Sequence, residues 1–120
     1  MRDVLSAFKT KDMPSPAALE ASVKVDAKMV VAACIDTSVQ IAAALGNDRE
    51  AALLLGASDR LREELGSVRD RFEQRLAARA VASLRASLGA DAYADAVEQG
   101  RELTLEEAVA HALAATGDRD

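Results

Sequence analysis

Cys34 and His111 are the only cysteine and the only histidine in this 120-residue chain, so they carry most of the case for an active site. A nucleophilic cysteine needs a base or cation nearby to hold it as thiolate. Cys34 is flanked instead by Val30, Val31, Ala33 and Ile35, which reads as a buried free thiol. His111 has no second His or Cys at ligand spacing, so no metal site is expected. The carboxylate pairs Glu63-Glu64 and Glu106-Glu107 are adjacent and diverge by about 100° around a helix. They read as capping and solvent-facing residues. Glu102, Glu106 and His111 could converge around the last helix, but no cleft is evident there. The serines stand outside any nucleophile elbow. These residues predict a protein that is not an enzyme and holds no cofactor.

Two features point to binding instead. Arg71, Arg75 and Arg79 form a like-charged ladder at four-residue spacing, which costs a few tenths of a kcal/mol per pair (~0.3) if nothing compensates it. The simplest expectation pairs it with Asp91, Asp95 and Glu98 of the following helix; the alternative is a partner surface for an acidic protein or phosphate. Asp36, Thr37, Ser38 and Gln40 interrupt an apolar helix, either as an exposed strip or, for Thr37, Ser38 and Gln40, as the polar lining of a ligand groove.

The elements that position these residues are helices. The stretch Leu45–Gly66 spells out one helix with both ends: Asn47 or Asp48 as cap, an Ala/Leu/Arg/Glu body, and Gly66 as left-handed stop. Leu54, Ala57, Leu61 and Leu65 make its apolar stripe, and Gly56 inside it implies close approach of another backbone. Leu-Gly also ends the neighbouring segments at Leu45-Gly46 and Leu88-Gly89. Ser15-Pro16 starts a long helix to Leu45, with a break conceivable at Ser22–Asp26. Leu19, Val23, Ala27, Val30, Cys34, Ile41 and Leu45 share one face; Val31, Ile35 and Val39 form another, which predicts a helix packed on two sides. Val68, Phe72, Leu76, Ala80, Leu84 and Leu88 recur every four residues, a stripe that drifts about 40° per step. A short helix from Ala90 ends at Gly100. Thr104 and Glu107 form a capping box for a fifth, with Leu105, Val109, Ala112 and Leu113 inward. Residues 1–15 read as a lead-in or the end of an upstream helix, 16–115 as the domain, and 116–120 as a frayed tail.

Composition agrees. Half the residues are hydrophobic, yet only two Phe and one Tyr are aromatic and alanine supplies 27, a makeup for closely packed helices rather than sheets. The net charge of −5 argues against direct nucleic-acid binding. One cysteine and no signal-peptide pattern suit the cytoplasm. No run of 18 uninterrupted apolar residues occurs, so no membrane span is expected.

With these residues placed, DREAALLLGASDRLREELG and RASLGADAYADAVEQGRELTLEEAVAHAL resemble the C-terminal helical region of MalT-like, LuxR-type bacterial transcriptional regulators and related multidomain signalling ATPases or kinases. The matching positions are Ala51, Ala52, Leu54, Leu55, Gly56, Ala57, Leu61, Arg62 and Glu63, then Leu88, Gly89, Tyr93, Ala96, Gly100, Leu103, Thr104, Glu107 and Ala108. The pattern usually has an aromatic residue where Val97 stands, and these 120 residues contain neither a phosphate-binding loop nor a recognition helix. The resemblance implies an all-α, tetratricopeptide-like array of about five antiparallel helices that senses a signal or binds a protein partner within a larger regulator. The alternative is a small stand-alone dimeric bundle with a scaffolding or ligand-binding role. So short an array leaves its ends open, and the exposed apolar surface predicts a homodimer.

Overall fold

The computed structural model describes residues 15–116, so the lead-in and tail, Ser15 and Thr116 apart, lie outside the described residues. Five helices follow in order: α1 (Pro16–Ala44), α2 (Asp48–Leu65), α3 (Arg71–Leu88), α4 (Ala90–Arg101) and α5 (Leu105–Ala115). The fold is all-α. Ser15 caps α1 by accepting from the Ala18 amide at 3.2 Å, and α1 runs unbroken through Ser22–Asp26. Gly66 closes α2 in the left-handed conformation. The capping box of α5 is present, with Thr104 Oγ1 and Glu107 Oε1 each accepting from the other residue's backbone amide. A second box, Asp70 with Glu73, starts α3 at Arg71, three residues after the periodicity suggested. Asn47 precedes α2 without capping it; its side-chain amide donates to Ala115 O at 2.9 Å and ties down the end of α5.

Helix α2 is the hub. It touches all four other helices, most extensively α4 and α1. Every residue from Ala51 to Ser58 is buried, as are Leu61 and Arg62; Leu65, the end of the expected stripe, is half-buried. Ile35, Val39, Leu54 and Leu84 are the largest apolar side chains fully enclosed, each worth about 1.5–3 kcal/mol in transfer free energy. Two glycines let α2 and α4 meet backbone to backbone. A Cβ on Gly56 would fall 2.9 Å from the carbonyl carbon of Val97, and one on Gly100 would fall 2.7 Å from that of Leu53. Gly100 therefore does not stop α4, as its sequence position suggested. It lies inside the helix, which ends one residue later at Arg101, with Glu102 as its right-handed cap.

Only one face of α1 is covered. Ala32, Ile35, Val39 and Ala42 pack into the core, with Val31 partly buried against it. The face expected to join them is in solvent: Val23, Val30, Ile41 and Leu45 are 65, 62, 41 and 58 % exposed. The two stripes diverge by more than about 100° around the helix, and the residues of α1 enclosed by its neighbours α2, α3 and α5 all lie on the Ile35–Val39 side. From Ser15 to Val30 every residue except the half-buried Leu19 is exposed, and the radius of gyration, 17.4 Å, exceeds the ~13 Å of a compact domain of about this length. In α5 likewise Ala108 and Ala115 face inward, whereas Leu105, Val109 and Leu113 are exposed.

An 18-residue window of α1 has a mean hydropathy of 1.4, so by length and composition this helix could cross a membrane, contrary to the expectation from counting uninterrupted apolar residues. Ile35 and Val39, however, lie in the bundle core, and Asp36 between them is bonded to Arg62 and Arg69.

Replacing an interior helical glycine by alanine ordinarily stabilises by about 1 kcal/mol. Here the sign should reverse. Gly56→Ala and Gly100→Ala are each expected to destabilise by about 2–3 kcal/mol, the cost of forcing atoms into a filled contact, read as a lowered midpoint in urea denaturation.

A buried charge cluster and two candidate surfaces

The polar interruption in α1 is the anchor of a charge cluster that sequence reasoning missed. Asp36 projects toward α2 and the α2–α3 loop. Its Oδ1 accepts from Ser58 Oγ at 2.6 Å and Arg69 Nη2 at 2.9 Å; its Oδ2 accepts from Arg62 Nη2 at 2.8 Å and Nε at 3.1 Å, and from Arg69 Nε at 3.2 Å. Arg69 also donates to Asp59 at 2.7 Å, and Glu73 lies 3.6 Å from Arg62. The side chains of Arg62, Arg69 and Asp36 are only 9, 16 and 21 % exposed. Burial alone would raise the Asp36 pKa, but bonds from Arg69, Ser58 and Arg62 and the Arg69 charge outweigh it and hold the carboxyl below its ordinary value. Burial of Arg69 is likewise overcome by its bonds to Asp36 and Asp59, which raise its pKa. A signal was present in the sequence: Asp36 sits within an apolar helix, and Ser58 and Arg62, four residues apart, fall on one face of the helix that follows.

Beside this cluster a groove of about 410 Å³ opens between α1 and the start of α3. Thr37 and Gln40 line it with Val39, Leu55, Phe72 and Leu76, while Asp36, Arg69, Asp70 and Glu73 form its charged edge. Two of the three expected lining residues are thus brought together. Ser38 is not among them; its hydroxyl donates to Cys34 O at 3.0 Å. Thr37 likewise donates to Ala33 O at 3.2 Å, and the Gln40 amide donates to Leu76 O at 3.4 Å, a bond from α1 to α3. Asp36 is no part of an exposed strip.

The arginine ladder does not pair as expected. Among the described residues Arg71, Arg75 and Arg79 have no ion-pair partner within 4.0 Å, and Asp91, Asp95 and Glu98 have none either. The cause is helical phase. At about 100° per residue, the ladder is centred roughly opposite Leu84, which is fully buried, so the three arginines face solvent. The drifting stripe behaves similarly: Ala80 and Leu84 are enclosed, Leu76 is partly buried, and Phe72 and Val68 emerge at 63 and 81 % exposure. Phe72 and Leu76 consequently lie beside Arg75 and Arg79 on one open patch. The arginines that do bridge helices are others. Arg101 binds Glu63 through two bonds of 2.6 and 3.0 Å, and Arg60 donates to the carbonyls of Arg101 and Leu103.

Cys34 is exposed, not buried, because it lies on the outer face of α1, about 100° from Ile35. His111 Nδ1 lies 2.7 Å from Glu50 Oε1, which joins α5 to α2; its side chain makes no bond to Glu102 or Glu106 among the described residues. No cluster of three metal-ligating side chains occurs among those residues.

Asp36→Asn would leave two guanidiniums facing a neutral amide. The fully buried case costs about 3–5 kcal/mol; with Asp36 partly solvated, a loss of about 2–3 kcal/mol is expected, read by urea denaturation at pH 7. Because the folded pKa is depressed, the contribution is present above the unfolded value of about 4 and is lost as pH falls below it. The wild-type denaturation midpoint should therefore drop more steeply below about pH 4 than that of Asp36→Asn.

No protein-family model, curated protein or solved structure matches this chain.

Proposed function

We propose that this chain is a non-catalytic helical module that binds an acidic protein partner, as the sensing or interaction arm of a bacterial transcriptional or signalling regulator that the sequence resemblance implies. The observation that carries the reading is the α3 patch. Arg75 and Arg79 lie beside a phenylalanine that is 63 % exposed, Arg71 extends the charge along the same helix, and none of the three has an ion-pair partner among the described residues, on a chain whose net charge is −5. Arginine and aromatic side chains are enriched among residues that dominate binding energy at protein interfaces, and the positive patch on an acidic body selects a partner of opposite sign. A protein is favoured over nucleic acid because the rest of the molecule repels a phosphate backbone.

The non-catalytic reading is supported by the state of the buried carboxylate. Asp36 is engaged by two arginines and a serine, which keep it ionised and leave it poorly suited to accept a proton. A single thiol fits the reducing cytoplasm, and the attachment of Asp36 to the bundle favours α1 acting as a bundle helix over a membrane span. The groove lined by Thr37 and Gln40 supports a second reading, a small-ligand role for a stand-alone bundle. Saturable binding of a fluorescent apolar probe, lost on filling the groove with Leu76→Trp, would favour that role.

The direct test compares proteins retained from source-cell extract by the immobilised chain and by the combined variant Arg71→Glu, Arg75→Glu, Arg79→Glu. Retention of a defined acidic protein should fall by at least about tenfold in the variant at unchanged helicity, and should weaken with salt as exposed charges are screened. Equal retention by both forms would refute the reading.

A further inference from the structure

The outer face of α1 has an order that the bundle does not use. Val23, Ala27, Val30, Cys34 and Ile41 follow the alternating three- and four-residue spacing of a coiled-coil seam, with Thr37 completing the step between the last two. This seam faces away from the core face of Ile35, Val39 and Ala42. Val23, Val30, Ile41 and Leu45 are 41–65 % exposed along it, and Cys34 is exposed too. The spacing is also palindromic. Leu19 and Leu45, Val23 and Ile41, and Val30 and Cys34 are each equidistant from Ala32, and so are Ala27 and Thr37.

A palindromic stripe meets the requirement of an isologous two-fold contact, in which residue i of one copy meets residue j of the other and j meets i. We propose that the occupant of this face is a second copy of the same helix, running antiparallel, with the two-fold axis at the level of Ala32. In that register Val23 packs on the partner's Ile41, Leu19 on the partner's Leu45 and Val30 on the partner's Cys34. An apolar residue meets an apolar or small one in each of these layers, and Ala27 meets the partner's Thr37. Shifting the register by one heptad loses these matches at both ends. Parallel pairing would instead stack Thr37 on the partner's Thr37 and set the two Cys34 thiols face to face.

The size is sufficient. From Leu19 to Leu45 the stripe is about 40 Å long, and half the surface of a helix about 10 Å across over that length is on the order of 600 Å². This is close to the ~800 Å² per partner of a standard stable interface. The contact uses none of Arg71, Arg75 and Arg79, although Thr37 of the seam also borders the groove that Phe72 and Leu76 line, so charge reversal on α3 and Val30→Glu on α1 test the two proposals apart.

The test uses the full chain with Cys34→Ser as background, in which Val23→Cys and Ile41→Cys are made separately. Both positions are exposed, and neither contributes to the buried core. The two single-cysteine variants, refolded together and oxidised, should form a cross-linked pair between position 23 of one copy and position 41 of the other, while each alone gives little cross-linking. In parallel, light scattering at tens of micromolar should give a dimer for the wild type. Val30→Glu should weaken association by at least about tenfold, because a carboxylate would be buried without a partner, while helicity is unchanged. A monomeric wild type, a dimer indifferent to Val30→Glu, cross-linking of each variant with itself alone, or a mixture that is dimeric without the 23-to-41 cross-link would overturn the proposal.

Discussion

The structure depends on one steric condition, the absence of side chains where α2 and α4 meet. Gly56 faces the Val97 carbonyl and Gly100 faces the Leu53 carbonyl, so each helix supplies the gap that the other's backbone enters. With no Cβ between them the helices approach more closely than larger residues permit, and the small side chains of Ala51, Ala52, Ala57 and Ala96 are buried around them. The approach puts α2 at the centre of the bundle and makes a core possible without a single fully buried aromatic residue among those described.

Burial of the inner face of α2 creates an electrostatic problem in its C-terminal half, where Arg62 is 8 % exposed. The solution is supplied from outside the helix. Asp36 reaches across from α1 and Glu73 from the first turn of α3, so Arg62 is paired where it is buried, while Arg69 shares Asp36 and is balanced further by Asp59. The cluster joins α1, α2 and the entrance to α3 at one point, and α3 otherwise touches the bundle sparingly. That light attachment is what leaves the start of α3, with Phe72 and the arginine ladder, exposed.

Local structure was legible in the sequence wherever a single residue type enforces it. Ser15-Pro16, Gly66 and the Thr104–Glu107 box all act within a few residues, and each is present in the fold. The close approach at Gly56 was also foreseeable, since an interior glycine needs a compensating contact. What could not be read was which of several apolar faces finds a neighbour. The two stripes of α1 look equally hydrophobic, and the choice of Ile35 and Val39 over Val30 and Ile41 depends on where α2 lies. The same ignorance of helix phase placed Cys34 inside and matched the arginine ladder to the acids of α4. It also made Gly100 look like a terminator, because stop and close-contact glycines are alike until the partner backbone is known. The groove was legible in part: Thr37 and Gln40 line it, whereas Ser38, one residue from Thr37, turns away.

The bundle is tight around α2, while the N-terminal half of α1 and the basic patch of α3 stay exposed. Native-state hydrogen exchange, resolved by residue, tests this organisation most directly. The slowest amides should cluster in α2 from Ala51 to Leu61 and in the facing turns of α4, opening only with global unfolding. In dilute solution, where α1 has no second copy against it, those between Leu19 and Val30 should exchange through smaller openings with lower protection. Protection as high in Leu19–Val30 as in α2, or an α2 that opens before the rest of the bundle, would contradict it.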